Sequence, residues 1–229
     1  MSTVGVGAGP EQSRLVGALH APAEAPEPCP GGSPARMPVH YQSICVPLDG
    51  SPESECALPL ARALARRLGA HLAYVHVHQP GADRAYTGRA EYARRENELR
   101  CEESRYLWSK VEPSEREPAA ASVLMAGRIP DALLRFAREQ SADLLVMTRH
   151  GSGGAERPWL GSVADRVIRS ARMPVVLAPV TATPADPSRA PMIRRVLLPL
   201  DGSSAAEEVL EHALALGDLC GASYTLVRV

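Results

Sequence analysis

The chain has 229 residues, a formal net charge of −1 and only 4% aromatic residues. These values argue against a nucleic-acid surface, because such surfaces need basic and stacking side chains. No apolar run approaches the roughly 18 residues that span a bilayer, so we expect no membrane partner. The five cysteines are scattered and form no C-x-x-C pair. That usage is typical of a reducing compartment and predicts a cytoplasmic protein.

The first 40 residues are rich in Gly, Ala and Pro and show no periodicity. Such a composition predicts a disordered leader over residues 1–40, because it offers too little apolar surface to bury. Met37 stands immediately before the first apolar run. The pattern is therefore compatible with a start at either Met1 or Met37.

From residue 41 onward, apolar runs alternate with helical patterns. "SICVPL" at 43–48 predicts a buried strand. One helix is predicted after it, with Ser51 as its cap, Pro52 in its first position and Gly69 at its end. The remaining strands are predicted at 71–77, 121–127, 143–147 and 174–180, and the remaining helices at 89–111, 129–141 and 162–172.

This strict alternation predicts an α/β fold over residues 41–180. Five strands joined by helices form a parallel sheet that is covered on both faces, which is a Rossmann-like three-layer sandwich. Ligands of such sheets bind at the carboxyl ends of the strands. "PLDG" at 47–50 and the glycine-rich segment after 147 both follow strands, so we expect them to meet in one crevice.

An internal repeat follows a Pro/Ala-rich linker at 181–192. Residues 46–77 and 198–229 align without a gap and share 14 identities in 32 positions. Residues 193–229 therefore predict a truncated second copy that contains only a β-α-β unit. Because such a unit buries little apolar surface, we expect it to be loosely held or packed against another molecule.

The segment "TRHGSGGAERPWLGS" at 148–162 lies between a predicted strand and a predicted helix. Gly151 and Gly161 allow backbone N–H groups to approach a phosphate closely, and Ser162 begins a helix whose N-terminus favours an anion. The alternative is a flexible surface connection. Asp49 either binds a ribose hydroxyl or a metal ion, or it caps the following helix, since "DGS" is also an ordinary strand-to-helix turn.

Three histidines are candidates for functional residues. His76 and His78 share one face of a strand, but no acidic or cysteine partner is expected nearby, so we expect a packed or hydrogen-bonded role and no metal. No nucleophile is spaced to use His150, which favours a role in ordering the loop. The sequence therefore predicts no catalytic residue.

The loop carries a longer pattern as well. Position 148, two residues, Gly151, nine residues, Gly161 and Ser162 reproduce the spacing G-x2-G-x9-G-[S/T], with Thr148 in place of the first glycine. Together with "PLDGS", His76–Val77 and "GSVADRVI", this pattern resembles the universal stress protein family, of the tandem-domain type.

The resemblance implies the strand order 3-2-1-4-5, ATP binding with or without Mg²⁺, and a homodimer formed through strand five at Pro174–Val180. Asp49 would lie at the ribose, the Val77 backbone at the adenine, and the glycines and Ser162 at the phosphates. Because Thr148 is β-branched, it is expected to crowd the sugar. The nucleotide-binding residues that the resemblance implies are Pro47, Leu48, Asp49, Val77, Met147, Thr148, Gly151, Ser152, Gly161, Ser162 and Val163.

The first functional hypothesis is an ATP-binding module of stress response or signalling that is not an enzyme. No base, nucleophile or pair of carboxylates converges on the expected γ-phosphate position. The alternatives are a slow ATPase or nucleotide-dependent enzyme of the same fold, and an interaction module that binds no nucleotide.

Overall fold

The computed structural model describes residues 39–80, 88–112, 120–124, 127–151, 160–180 and 193–229. The predicted leader, apart from residues 39 and 40, lies outside these ranges, and so does the predicted linker at 181–192.

A parallel sheet forms the centre of the first 180 residues. Its five strands lie in the order β3-β2-β1-β4-β5, which is the order that the resemblance implies. All four strand pairings are parallel, and Ile44 is in register with Leu72 on one side and Leu144 on the other. The strands are β1 (Ser43–Pro47), β2 (His71–Val77), β3 (Ala120–Leu124), β4 (Leu144–Thr148) and β5 (Val175–Ala178).

Helices cover both faces of this sheet. Because successive side chains on a strand point to opposite faces, the apolar strands contribute to two separate cores. Ile44 and Val46 pack under α2 and α3, whereas Cys45 packs under α4 and α5. The helices are α1 (Pro52–Glu55), α2 (Leu58–Leu68), α3 (Arg89–Lys110), α4 (Ile129–Glu139) and α5 (Ser162–Ser170).

The prediction of one continuous helix after β1 is wrong. α1 ends at Glu55, and α2 begins at Leu58 with a proline in its first turn. Because Pro59 has no N–H to donate to the Glu55 carbonyl, the chain makes a tight turn and starts a new helix. The predicted ends are confirmed: Ser51 Oγ accepts a hydrogen bond from Ser54 N at 3.2 Å, and Gly69 has a φ of 66°.

Residues 193–229 form a second, smaller unit with the elements β6 (Arg195–Leu200), α6 (Ser204–Glu207), α7 (Val209–Asp218) and β7 (Ser223–Arg228). β6 and β7 pair in parallel, as β1 and β2 do. Ser203 caps α6 by accepting from Ala206 N at 3.2 Å, which repeats the cap of α1. The order of its elements, a strand, two helices and a strand, is the same as in the segment from β1 to β2. That this unit is a truncated second copy of the first domain stays a prediction.

α7 contacts the described residues between 39 and 180, a contact that the sequence did not predict. Ala215 and Leu216 pack against the core under α2. His212 Nδ1 lies 2.8 Å from the Tyr41 hydroxyl just before β1. Burial, with a smaller contribution from the Asp143 charge, raises the pKa of Tyr41 to about 12, so the hydroxyl stays protonated and able to donate.

We expect hydrogen exchange to separate the two sheets. Ile44 of β1 is fully buried, whereas Leu197 of β6 is 64% exposed and Leu226 of β7 is 62% exposed. Amides of β1 and β4 should therefore exchange only on global unfolding. Those of β6 and β7 should exchange by local opening, which requires much less free energy. Mass-spectrometric exchange on the full chain measures this difference. Equal protection of β1 and β6 would contradict it.

Candidate functional site

A cavity of about 590 Å³ opens at the carboxyl ends of β1, β2 and β4. The first turn of α5, residues of α1 and α4 and one side chain of α3 also line it. Ser152 lies outside the described residues, so the structure does not place it. The other predicted site residues all line this one cavity: Pro47, Leu48, Asp49, Val77, Met147, Thr148, Gly151, Gly161, Ser162 and Val163.

The end of the cavity at α5 is suited to an anion. Gly161 is the N-cap residue, and its N–H donates to the Arg149 carbonyl at 2.9 Å, which closes the base of the loop. The N–H groups of the first turn, which starts at Ser162, have no carbonyl partner within the helix. The helix dipole adds partial positive charge there, and Arg149 also lines the cavity.

Glycine is required at both described motif positions by close neighbours. A Cβ on Gly161 would lie 3.1 Å from the Arg149 carbonyl oxygen, which is tighter than ordinary contacts. A Cβ on Gly151 would lie 2.1 Å from Asp49 Oδ2, which is inside the van der Waals radii. The loop after β4 and the turn after β1 therefore touch each other directly.

Asp49 serves the turn before α1 and also lines the cavity. Its Oδ1 accepts hydrogen bonds from the Ser51 backbone N–H at 3.0 Å and from the Ser51 hydroxyl. The cap of α1 is Ser51 itself. The alternative that Asp49 caps the following helix is therefore wrong; its carboxylate instead holds the strand-to-helix turn, at the edge of the cavity.

Thr148 makes a hydrogen bond within the loop that follows β4. Its hydroxyl donates to the His150 carbonyl at 2.6 Å, and its side chain is almost fully buried. His150 is also buried and lines the cavity, next to Gly161. The residue that replaces the first motif glycine therefore stabilises the conformation of the loop from within.

His76 of β2 and His78, which directly follows this strand, contact carboxylates of α3. His78 is fully buried, and its Nδ1 lies 2.8 Å from Glu103 Oε2 while its Nε2 lies 2.6 Å from Glu96 Oε2. His76 Nδ1 lies 2.8 Å from the Leu48 carbonyl, and its Nε2 lies 3.4 Å from Glu103 Oε1. Glu103 and His76 line the cavity, so this cluster forms its wall at β2.

These contacts define where the protons are. A carbonyl oxygen can only accept, so His76 carries a proton on Nδ1. Both nitrogens of His78 face carboxylates, so His78 is the doubly protonated imidazolium. Burial acts to lower the pKa of His78, but the hydrogen bonds and charges of Glu103 and Glu96 outweigh it, and the pKa is raised.

The expectation that no acidic partner lies near the histidines is wrong, although the expected hydrogen-bonded role is confirmed. The acids come from a distant segment: Glu96 and Glu103 are seven residues apart on α3 and share one face of the helix. The sequence does contain a signal for this contact: the pattern H-x-H at the end of a strand is followed by the pattern E-x6-E in the next helix. Within the described ranges, no group of three or more His, Cys, Asp or Glu side chains is arranged to hold a metal ion.

The fold is that of a Rossmann-like α/β protein with a crevice at the carboxyl ends of its strands. The family model described as the universal stress protein family matches residues 40–179. The chain therefore belongs to the universal stress protein family.

Curated relatives agree with this assignment. A universal stress protein of Thermus aquaticus is 33% identical over 139 residues, which are 60% of this chain and 98% of that protein. One from Mycobacterium tuberculosis is 32% identical over 145 residues, and the match covers 60% of this chain but only 45% of the relative. The chain thus spans about half the length of the mycobacterial relatives that it matches.

Solved structures support the fold. UspA of Lactobacillus plantarum has a TM-score of 0.52 at 20% identity and covers 62% of this chain and 99% of its own. A universal stress protein of Archaeoglobus fulgidus has a TM-score of 0.57 at 18% identity, with 81% and 66% covered. None of the described helices combines the length and apolar character that crossing a bilayer requires.

The His78 cluster predicts a pH-dependent stability. Because the folded-state pKa of His78 is raised, its ion pairs contribute fully below the unfolded pKa of about 6.5 and are lost as pH rises through the folded pKa. Urea unfolding of the chain and of His78→Asn at pH 6 and pH 9 measures this contribution. The destabilisation should be larger at pH 6.

His71→Asn is the matched control, because His71 lies at the exposed start of the same strand. Its effect on the free energy of unfolding should be small at both pH values. A His78→Asn effect that stays constant, or that grows toward pH 9, would contradict the protonated state assigned to His78.

The contact between Gly151 and Asp49 predicts a steric penalty. In Gly151→Ala the new Cβ displaces a carboxylate that Ser51 holds, so the free energy of unfolding should fall by about 1–3 kcal/mol. Gly127→Ala is the control, because a Cβ there meets nothing within 4 Å. Urea denaturation measures both variants. A Gly151→Ala protein as stable as the control would mean that the two loops do not touch as described.

Proposed function

We propose that this universal stress protein binds an adenine nucleotide, with ATP as the expected ligand, in the cavity at the carboxyl ends of β1, β2 and β4. The observation that carries the proposal is the convergence of residues from three strands and α5 on one cavity. These are residues that the resemblance to the family implies, and the first and last of them, Pro47 and Val163, are more than 100 positions apart in the chain.

The chemistry of the cavity supports a nucleotide. Its volume of about 590 Å³ falls within the range typical of small-molecule sites. The first turn of α5 favours phosphate, whereas Asp49 at the end of β1 offers a carboxylate to a hydroxyl. Apolar side chains between them, such as Met147 and Leu133, suit the faces of a sugar or a base.

The proposed role is that of a binding module in stress response or signalling. Mg²⁺ would enter only as the ion that accompanies the nucleotide. The alternative of a slow ATPase predicts phosphate release that depends on Asp49, whereas a pure binding module releases phosphate at the background rate. A cytoplasmic location and pairing of two copies through residues 174–180 belong to the same proposal, and β5 is the outer strand of its sheet.

A charge at the first residue of α5 tests the phosphate assignment. Asp is favourable in the first turn of a helix, so Ser162→Asp should fold normally. Its carboxylate would repel a phosphate, and ATP affinity should fall by about a hundredfold or more. Ser162→Ala, which removes only the hydroxyl donor, should weaken ATP by about tenfold. Isothermal titration calorimetry measures both.

Ser204→Asp is the matched control. Ser204 is the first residue of α6, so the same charge enters the same helical position outside the cavity. ATP affinity should be unchanged in this variant. If Ser162→Asp binds ATP as tightly as Ser204→Asp does, the phosphates do not lie at α5 and the proposed site is wrong.

A further inference from the structure

We propose that Glu103 of α3 selects the base of the nucleotide by accepting a hydrogen bond from an amino group on it. This inference rests on the proposed function and adds the residue that determines specificity. The predicted site residues did not include Glu103, because it lies on a long charged helix outside the motifs. Glu103 nevertheless lines the same cavity as the glycine loop and Asp49.

The strand order places the parts of a nucleotide in sequence along the cavity. β4, with α5 after it, is adjacent to β1, and β1 is adjacent to β2. Phosphates at α5 and a ribose beside Asp49 therefore direct the base toward β2. Two interstrand spacings, about 10 Å, separate β4 from β2. Glu103 lies at this second end, against His76 and His78 of the β2 segment.

Glu103 has hydrogen-bonding capacity left for a ligand. An ionised carboxylate has about four acceptor positions. His78 Nδ1 contacts both of its oxygens, at 3.0 and 2.8 Å, and His76 Nε2 lies 3.4 Å from Oε1. His78 thus occupies one acceptor position on each oxygen, and further positions remain for a ligand. Since a carboxylate only accepts, the group that it selects must be a donor, such as the exocyclic amino group of adenine.

The carboxylate is also held rigidly. His78 is fully buried and anchors Glu103 on one side and Glu96 on the other. The Leu48 carbonyl fixes the ring of His76, which faces the same carboxylate. A side chain that is fixed in this way loses little further freedom on binding, so its hydrogen bond contributes more to affinity.

The test compares ATP with purine riboside 5′-triphosphate, which is ATP without the 6-amino group. Calorimetry gives the affinity of the intact chain for each. The ratio of the two affinities, ATP over purine riboside triphosphate, isolates the contribution of the amino group, because both ligands carry the same phosphates and ribose. We expect the intact chain to bind ATP about tenfold more tightly or better. In Glu103→Met, which keeps the length of the side chain but removes the acceptor, the ratio should fall close to one.

Glu102→Met is the matched control. It removes one negative charge from the position next to Glu103 on the same helix, but Glu102 is exposed, faces Arg95 and is not among the residues that line the cavity. The ratio should stay at the value of the intact chain. If Glu103→Met does not fold, Glu103→Gln takes its place in the same comparison of the two nucleotides. Its neutral oxygen is a weaker acceptor than a carboxylate, so the ratio should also fall.

The outcomes separate this inference from the proposed function. If the intact chain binds both nucleotides equally, the site stands and the role of Glu103 is wrong. An unchanged ratio in a folded Glu103 variant also overturns the inference, and so does an equal loss of the ratio in Glu102→Met. If the intact chain binds neither nucleotide, the proposed function fails together with the inference.

Discussion

The organisation of this protein depends on the point where the order of its strands reverses, between β1 and β4. From β1 the chain builds outward to β2 and β3, then returns to place β4 on the other side of β1. The connections before β3 cover one face of the sheet, and those after β3 cover the other. The helices diverge where β1 and β4 meet, which opens a crevice at the carboxyl ends of the strands. The cavity, the glycine loop and Asp49 all lie at this crevice.

The opposite ends of the cavity are built by different means. At α5 the positive character comes from the backbone, so only glycines and a short side chain are needed to expose it. At β2 the negative character comes from Glu103, and a carboxylate in that position needs a buried cation to hold it. His78 is that cation, and Glu96 fixes its other nitrogen. The cluster therefore links the packing of α3 on the sheet to the charge that faces the cavity.

Local patterns in the sequence predicted most of the fold and one half of the site. The strands are apolar almost throughout, and Ser51 and Gly69 mark real helix ends, because these signals act between near neighbours. Glu103 was missed because its contact with His78 joins a long charged helix to the residue that follows β2, 25 positions away. The packing of α7 near Tyr41 was missed for the same reason, since 171 positions separate Tyr41 from His212.

The central claim is that an adenine nucleotide occupies the crevice between β1 and β4. An NMR titration of the ¹⁵N-labelled chain with ATP tests it most directly. The account predicts shifts of backbone amides that cluster at Asp49, Val77, Gly151 and the first turn of α5, with β6 and β7 unaffected. Saturable shifts confined to another surface, or no shifts at millimolar ATP, would contradict it.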